Sequence, residues 1–160
     1  MQPGPPDPPA GIVFRRLDGS VERDLARSLL VAGGRLWRPL GPRREWRWFG
    51  LWDLAPTDGA GLVGVAAIRP ITARTVELCA VAVPAALPWR GLGDRLLREV
   101  ADTLRGQGAE RVVVRLPGEG RGAPLLRDAG FAAAGRPPPD GHEPGPNGVG
   151  GAWVWLSLEL

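Results

Sequence analysis

Residues 81–97, VAVPAALPWRGLGDRLL, contain the change from strand to helix on which the fold prediction depends. The apolar run from Thr75 to Val83 is rich in β-branched residues and stops at Pro84, as expected of a buried strand. Beyond the loop, leucines recur at the spacing of one helical face, which predicts a helix from about Gly91 to Arg105. The stretch therefore predicts a strand, a short loop and a helix in succession.

Two glycines stand where the predicted helix begins. Gly91 and Gly93 have no side chain to block a ligand, so backbone N–H groups can point at an anion, whose charge the helix dipole favours. Arg90 adds a cation to the same corner. This arrangement is typical of a phosphate cradle, although a tight strand-to-helix turn without a ligand explains the same glycines.

The remaining elements follow from hydrophobic periodicity on either side of this stretch. A helix after Gly19 should bury Val21, Leu25 and Leu29. The shared parity of Trp46, Trp48 and Trp52 predicts a strand with one buried face. The predicted order is strand, helix, three strands, helix, strand, helix and one or two strands. Further strands are predicted at Ile12–Leu17, Leu62–Ile68, Arg111–Leu116 and Ala152–Leu160, and a further helix at Ala123–Ala129.

Composition excludes several classes of protein. All 20 basic residues are Arg, which excludes a lysine nucleophile, and single Cys and His residues exclude an internal disulfide and a multi-histidine metal centre. The same scarcity of Cys and His leads us to expect no metal. No apolar run approaches the ~20 residues of a membrane span, so we expect a soluble, cytoplasmic protein. We expect residues 1–10 to be a disordered Pro-rich arm and residues 11–160 a single domain.

The motifs around the two glycines resemble those of the GCN5-related N-acetyltransferase (GNAT) family. The resemblance lies in Val83-Pro84, in Arg90-Gly91-Leu92-Gly93 with the Leu-Leu helix after it, and in Ala123, Leu125, Leu126 and Ala129-Gly130-Phe131. It implies an α/β fold with a central mixed, mostly antiparallel sheet flanked by helices, and acetyl-CoA as co-substrate. Pro88 departs from the Gln or Arg that usually begins the family's pyrophosphate motif.

The resemblance also implies roles for particular residues. The backbone of Val81, Ala82 and Val83 would pair with the pantetheine arm, and the amides of Arg90, Gly91, Leu92, Gly93 and Asp94 would hold the pyrophosphate. An amine must lose a proton before it attacks a thioester, and Glu77 is the candidate general base. A solvent-facing strand charge explains Glu77 equally well, and Glu45 and Asp53 are weaker alternatives.

Many family members place a Tyr where this chain has Leu126, and the chain contains no Tyr. Either water protonates the leaving thiolate, or Cys79 or His142 replaces the Tyr, or the protein binds CoA without turnover. Cys79 is also explained as a small buried strand residue, and His142 as a solvated loop residue.

We therefore expect an N-acyltransferase that moves an acetyl or other short acyl group to the primary amine of a small molecule or peptide. The alternative is a CoA-binding regulatory or interaction module that lacks turnover. The alternation of Arg and Trp between residues 35 and 48 would also suit RNA, which we consider a distant third reading. We expect no nucleic acid and no membrane as partners, while the Trp-rich surfaces permit a homodimer.

Overall fold

The computed structural model describes residues 11–31, 35–37, 46–54, 61–87, 89–117, 122–134 and 153–160. The Pro-rich arm, Glu45, Pro88 and His142 lie outside this part, so the predicted domain boundaries stay predictions. Three helices and eight strands are present in the described residues. In chain order they are β1 (Ile12–Arg16), α1 (Ser20–Val31), β2 (Arg35–Trp37), β3 (Arg47–Asp53), β4 (Leu62–Pro70), β5 (Thr75–Val83), α2 (Trp89–Gly106), β6 (Arg111–Pro117), α3 (Gly122–Asp128), β7 (Ala132–Ala133) and β8 (Trp153–Glu159).

One twisted sheet runs through the described residues in the order β1-β3-β4-β5-β6-β8-β7, with β2 beside β5 outside this path. Every pair is antiparallel except β5 with β6, which run parallel. The prediction of a mixed, mostly antiparallel sheet flanked by helices is confirmed. None of the described helices is long and apolar enough to cross a membrane.

The central strands β5 and β6 separate part of the way along the sheet. Their register covers only Thr75 to Glu77 against Arg111 to Val113. Beyond Glu77, β6 continues its pairing with β8, while the last three residues of β5 pair with β2 instead. The two central strands therefore form a V that opens towards the start of α2.

Helices cover both faces of the sheet. The predicted buried face of α2 is confirmed, because its apolar side chains join α3 and one face of the sheet in the larger core cluster. The smaller cluster joins Ala26 and Leu30 of α1 to the opposite face, where Trp46 and Trp48 are buried.

Two predictions about these faces were wrong. In α1, Val21 is 71% exposed and Leu25 is 42% exposed, because the helix turns Ala26 and Leu30 towards the sheet instead. Of the three predicted residues, Leu29 does pack against this cluster and is partly buried. The small Ala26 side chain allows the helix to approach the sheet closely. In β3 the Trp side chains do share one face, but Phe49 and Leu51 are buried on the other. The strand is thus covered on both sides, as expected of an internal strand between two helical layers.

A β-bulge interrupts β5 at Cys79. Leu78 pairs with Ile68, and the next pair joins Ala80 to Ala67, so Cys79 has no partner on β4. As a result, Cys79 and Ala80 both point into the α1-side cluster although they are consecutive. Even-numbered residues of β5 face α2 and α3 before the bulge, and odd-numbered residues face them after it.

Candidate active site

The open end of the V leads through a tight turn into α2. Within this turn the N–H of Leu87 donates a hydrogen bond of 2.9 Å to the carbonyl oxygen of Pro84. Only one residue, Pro88, separates this turn from the first residue of α2. The short connection places the predicted cradle directly beyond the last residue of β5.

Gly91 has a backbone conformation that favours glycine and leaves room beside it. Its φ of +93° lies in the region that L side chains rarely adopt, and a Cβ added there would meet no atom within 4 Å. The space in front of its backbone is therefore open. Gly93, by contrast, is buried against the protein. The side chain of Arg90 lies outside the described residues, so its predicted phosphate contact stays a prediction.

The carboxylate of Asp94 already faces the start of α2. The N–H of Gly91 donates to Asp94 Oδ2 over 3.5 Å, a long hydrogen bond on the exposed side of the turn. A carboxylate at a helix N-terminus is a weak internal substitute for a bound anion. Asp94 thus indicates that the amides here attract negative charge, and that its own carboxylate would oppose a diphosphate.

The predicted pantetheine edge is the edge of β5 that faces away from β4, within the V. There Val81, Ala82 and Val83 are fully buried, and their neighbour on that side is β2, which is paired antiparallel to them. The sequence prediction did not include β2. Its presence means that backbone groups proposed to bind pantetheine have a protein partner in this structure.

Glu77 lies where the V closes, and its side chain is only 5% exposed. Its Oε2 forms an ion pair of 2.5 Å with Nε of Arg69, the residue opposite it on β4. The reading of Glu77 as a solvent-facing charge is therefore wrong, since the side chain is buried between strands. Its role as a base remains a prediction, and one carboxylate oxygen is already engaged by a guanidinium.

Cys79 is a poor candidate for the missing proton donor. Burial, reinforced by the negative charge of Glu77, raises the pKa of its thiol well above the ordinary range. The thiol donates weakly to the backbone oxygen of Glu77, with a sulfur-to-oxygen distance of 3.7 Å. A thiol held protonated in this way serves neither as a nucleophile nor as an acid towards a departing thiolate. Leu126 is buried in α3 and has no proton to give.

Two arginines near the V were not singled out from the sequence. Arg69 could have been found by treating β4 and β5 as a hairpin, because it and Glu77 lie equally far from the turn between the strands. Arg115 of β6 is 6% exposed, and its guanidinium lies 5.8 Å from the ring centroid of Trp155. No sequence pattern distinguishes this buried Arg from the 19 other basic residues. Asp53, the weaker base candidate, lies at the far end of β3, opposite Ile12.

Comparison with known proteins identifies the class. The model of the acetyltransferase (GNAT) family matches residues 22–131, which is more than half of the chain and includes β5, the cradle and α3. The chain therefore belongs to the GNAT acetyltransferase family. A search of curated protein sequences gave no match.

Solved structures agree on the fold. A GNAT-family protein from Desulfovibrio desulfuricans is 22% identical, covers 92% of this chain and 98% of its own, and superposes with a TM-score of 0.67. A Bacillus subtilis acetyltransferase in complex with CoA is 19% identical, with 93% and 99% covered and a TM-score of 0.64. A variant of the spermidine N-acetyltransferase SpeG from Vibrio cholerae is 14% identical, with 94% of each chain covered and a TM-score of 0.65.

Proposed function

We propose that this protein transfers an acetyl, or another short acyl group, from acyl-CoA to the primary amine of a small molecule or peptide. The observation that carries the proposal is the glycine cradle. Gly91 leaves open space at the start of α2, at the mouth of a V between two central strands. The Bacillus subtilis relative, which shares this fold, was solved with CoA.

The ligand would run from the cradle into the V. In this proposal the amides from Arg90 to Asp94 hold the pyrophosphate, and the thioester reaches towards Glu77 at the closed end. Residues 77 and 83 are separated by six residues of strand, or about 20 Å at ~3.3 Å per residue. This length suits an extended arm that carries a reactive end away from a phosphate anchor.

The chemical step requires three proton transfers. The attacking ammonium loses a first proton to Glu77, directly or through water. The amine nitrogen then bonds to the thioester carbonyl carbon and loses its second proton to water, and the carbon–sulfur bond breaks to leave an amide and a CoA thiolate. In this proposal water protonates the thiolate, because Leu126 and Cys79 cannot; His142, the other candidate from the sequence, lies outside the described residues. The ion pair with Arg69 fixes the Glu77 carboxylate in position, which makes Arg69 a positioning residue.

The acceptor chemistry is the less defined part of the proposal. SpeG from Vibrio cholerae, with which this chain shares its fold, is named for acetylation of spermidine, a small amine. We extend only the class, a primary amine, to this protein. From the sequence we expect residues 35–48 and the Pro/Gly-rich stretch 136–151 to select the acceptor, and both lie largely outside the described part of the chain.

A thermal-shift titration tests the binding half of this proposal. Acetyl-CoA at ~100 times its dissociation constant should stabilise the protein by ~2.7 kcal/mol, or roughly 5–11 °C for a chain of this size. An adenine nucleotide without pantetheine is the control. No shift at saturating acetyl-CoA would refute the proposal.

A coupled assay of free CoA over a panel of amines tests turnover. We expect thiol release with at least one primary amine, and a lower kcat in Glu77→Gln with acetyl-CoA binding retained. Binding without thiol release for every class of amine would instead support the regulatory module.

A further inference from the structure

Strand β2 lies against the edge of β5 that the proposed function assigns to pantetheine. Arg35, Leu36 and Trp37 pair antiparallel with Val83, Ala82 and Val81, respectively. The other edge of β5 is already taken by β4, whose register reaches the same Ala82. Each strand has only two edges for backbone hydrogen bonds, so β2 fills the one edge that was left.

The V explains why an extra strand fits at this place. Because β6 leaves β5 after Glu77, the edge from Leu78 onwards would otherwise carry unpaired backbone groups in a buried region. A three-residue strand satisfies these groups at Val81–Val83. An extended pantetheine arm, whose two amide groups pair as a peptide backbone does, would satisfy the same groups.

Strand β2 is also weakly attached. It has three residues, and β5 is the only strand with which it pairs among the described residues. Among the described helices, its close neighbour is α3. A strand held along one edge over three residues belongs to the part of a protein that opens at low cost.

We propose that β2 is an internal competitor of acyl-CoA: the protein rests in a closed state with β2 paired to β5, and acyl-CoA binds by displacing it. This inference rests on the proposed function. The measured association constant is then the intrinsic association constant multiplied by the fraction of molecules in which β2 is already released. Displacement also frees residues 35–37, which begin the segment expected from the sequence to select the acceptor, when the acyl donor binds.

Two proline variants test the competition. The N–H groups of neighbouring residues in a strand point to opposite edges. Of the variants Leu36→Pro and Trp37→Pro, one therefore removes an N–H that donates to β5, and the other removes an N–H that points away from β5. Ala133→Pro, in the short edge strand β7, is the control for a proline in a remote strand of similar length. CoA affinity is measured by isothermal titration of each full-length variant.

We expect the variant that loses the donor to bind CoA more tightly, on the order of tenfold if about a tenth of the wild-type molecules are open. The other two variants should stay close to wild type. Hydrogen exchange provides an independent measurement on the wild-type protein. Addition of CoA should remove protection from whichever amide of Leu36 and Trp37 donates to β5, while peptides that contain Val81–Val83 stay protected because pantetheine replaces the strand.

The outcomes separate the two proposals. CoA binding with equal affinity in all proteins, and with β2 still protected, would overturn the competition but leave the acyltransferase proposal intact. Tighter CoA binding by the variant that loses the donor than by wild type and by the other two variants would support the competition. Absence of CoA binding in every protein would overturn both, because β2 would then have no ligand to exclude.

Discussion

Replacement of Gly91 by Ala should separate the cradle from ordinary backbone strain, because the chain contains a matched control. Gly91 and Gly108 have φ values of +93° and +88°, and an added Cβ meets no atom within 4 Å at either position. Both substitutions therefore carry the same cost, about 1–2 kcal/mol for an L residue in this region. They differ in place, since Gly108 follows the far end of α2.

The two variants should unfold at similar temperatures, roughly 2–8 °C below wild type. Only Gly91→Ala should respond less to acetyl-CoA, because its methyl group projects into the space in front of the cradle. A tenfold loss of affinity would reduce the stabilisation from ~2.7 to ~1.4 kcal/mol at the ligand concentration that is ~100 times the wild-type dissociation constant. Differential scanning fluorimetry with and without ligand measures both effects. Equal ligand-induced shifts in the two variants would refute the assignment of the pyrophosphate site.

Three further predictions concern charges near the site. Arg69→Met should destabilise the protein by about 3–5 kcal/mol in urea unfolding, because the buried Glu77 carboxylate loses its partner. Adding Glu77→Leu should recover most of that loss. A double variant as unstable as Arg69→Met alone would contradict the prediction. Asp94→Asn should tighten CoA binding roughly two- to fivefold by calorimetry, since about 0.3–1 kcal/mol of repulsion is removed; unchanged affinity would place the phosphates elsewhere. Burial raises the pKa of Cys79, so the thiol keeps its proton in the folded state at pH values where an unfolded thiol has lost it. The free energy of unfolding should therefore be unaffected below about pH 9 and fall above it. Cys79→Ala should abolish that fall.

The sequence was sufficient for those elements whose hydrophobic pattern is strong and local. Strand β5 has the predicted bounds, and the helix predicted from about Gly91 to Arg105 is α2, which begins two residues earlier and ends one later. The glycines between these two elements predict the cradle there, and this assignment stays a prediction. Such patterns record the burial of a continuous face, so they survive without knowledge of the neighbours.

The features that the sequence did not reveal depend on neighbours distant in the chain. Strand β2 exists because β5 has an unpaired edge, which in turn depends on where β6 diverges. The buried face of α1 was misassigned because Leu25 is more hydrophobic than Ala26, whereas close packing on the sheet favours the smaller residue. The burial of Arg115 depends on its pairing with Trp155 across two strands.

The bulge at Cys79 connects the two halves of the candidate site. Before the bulge, Val76 and Leu78 face α2 and α3. Because side chains alternate along a strand, Glu77 therefore faces the α1 layer. After the bulge, Val81 and Val83 face α2 and α3. Without the extra residue, the side chains of Val81 and Val83 would share the face of Glu77. The bulge thus allows the carboxylate to point to one face of the sheet while the residues that lead to the cradle pack under α2 on the other. An acceptor amine that reaches Glu77 would accordingly approach from the α1 face, and the acyl donor from the start of α2, so that the two substrates meet in the V from opposite sides.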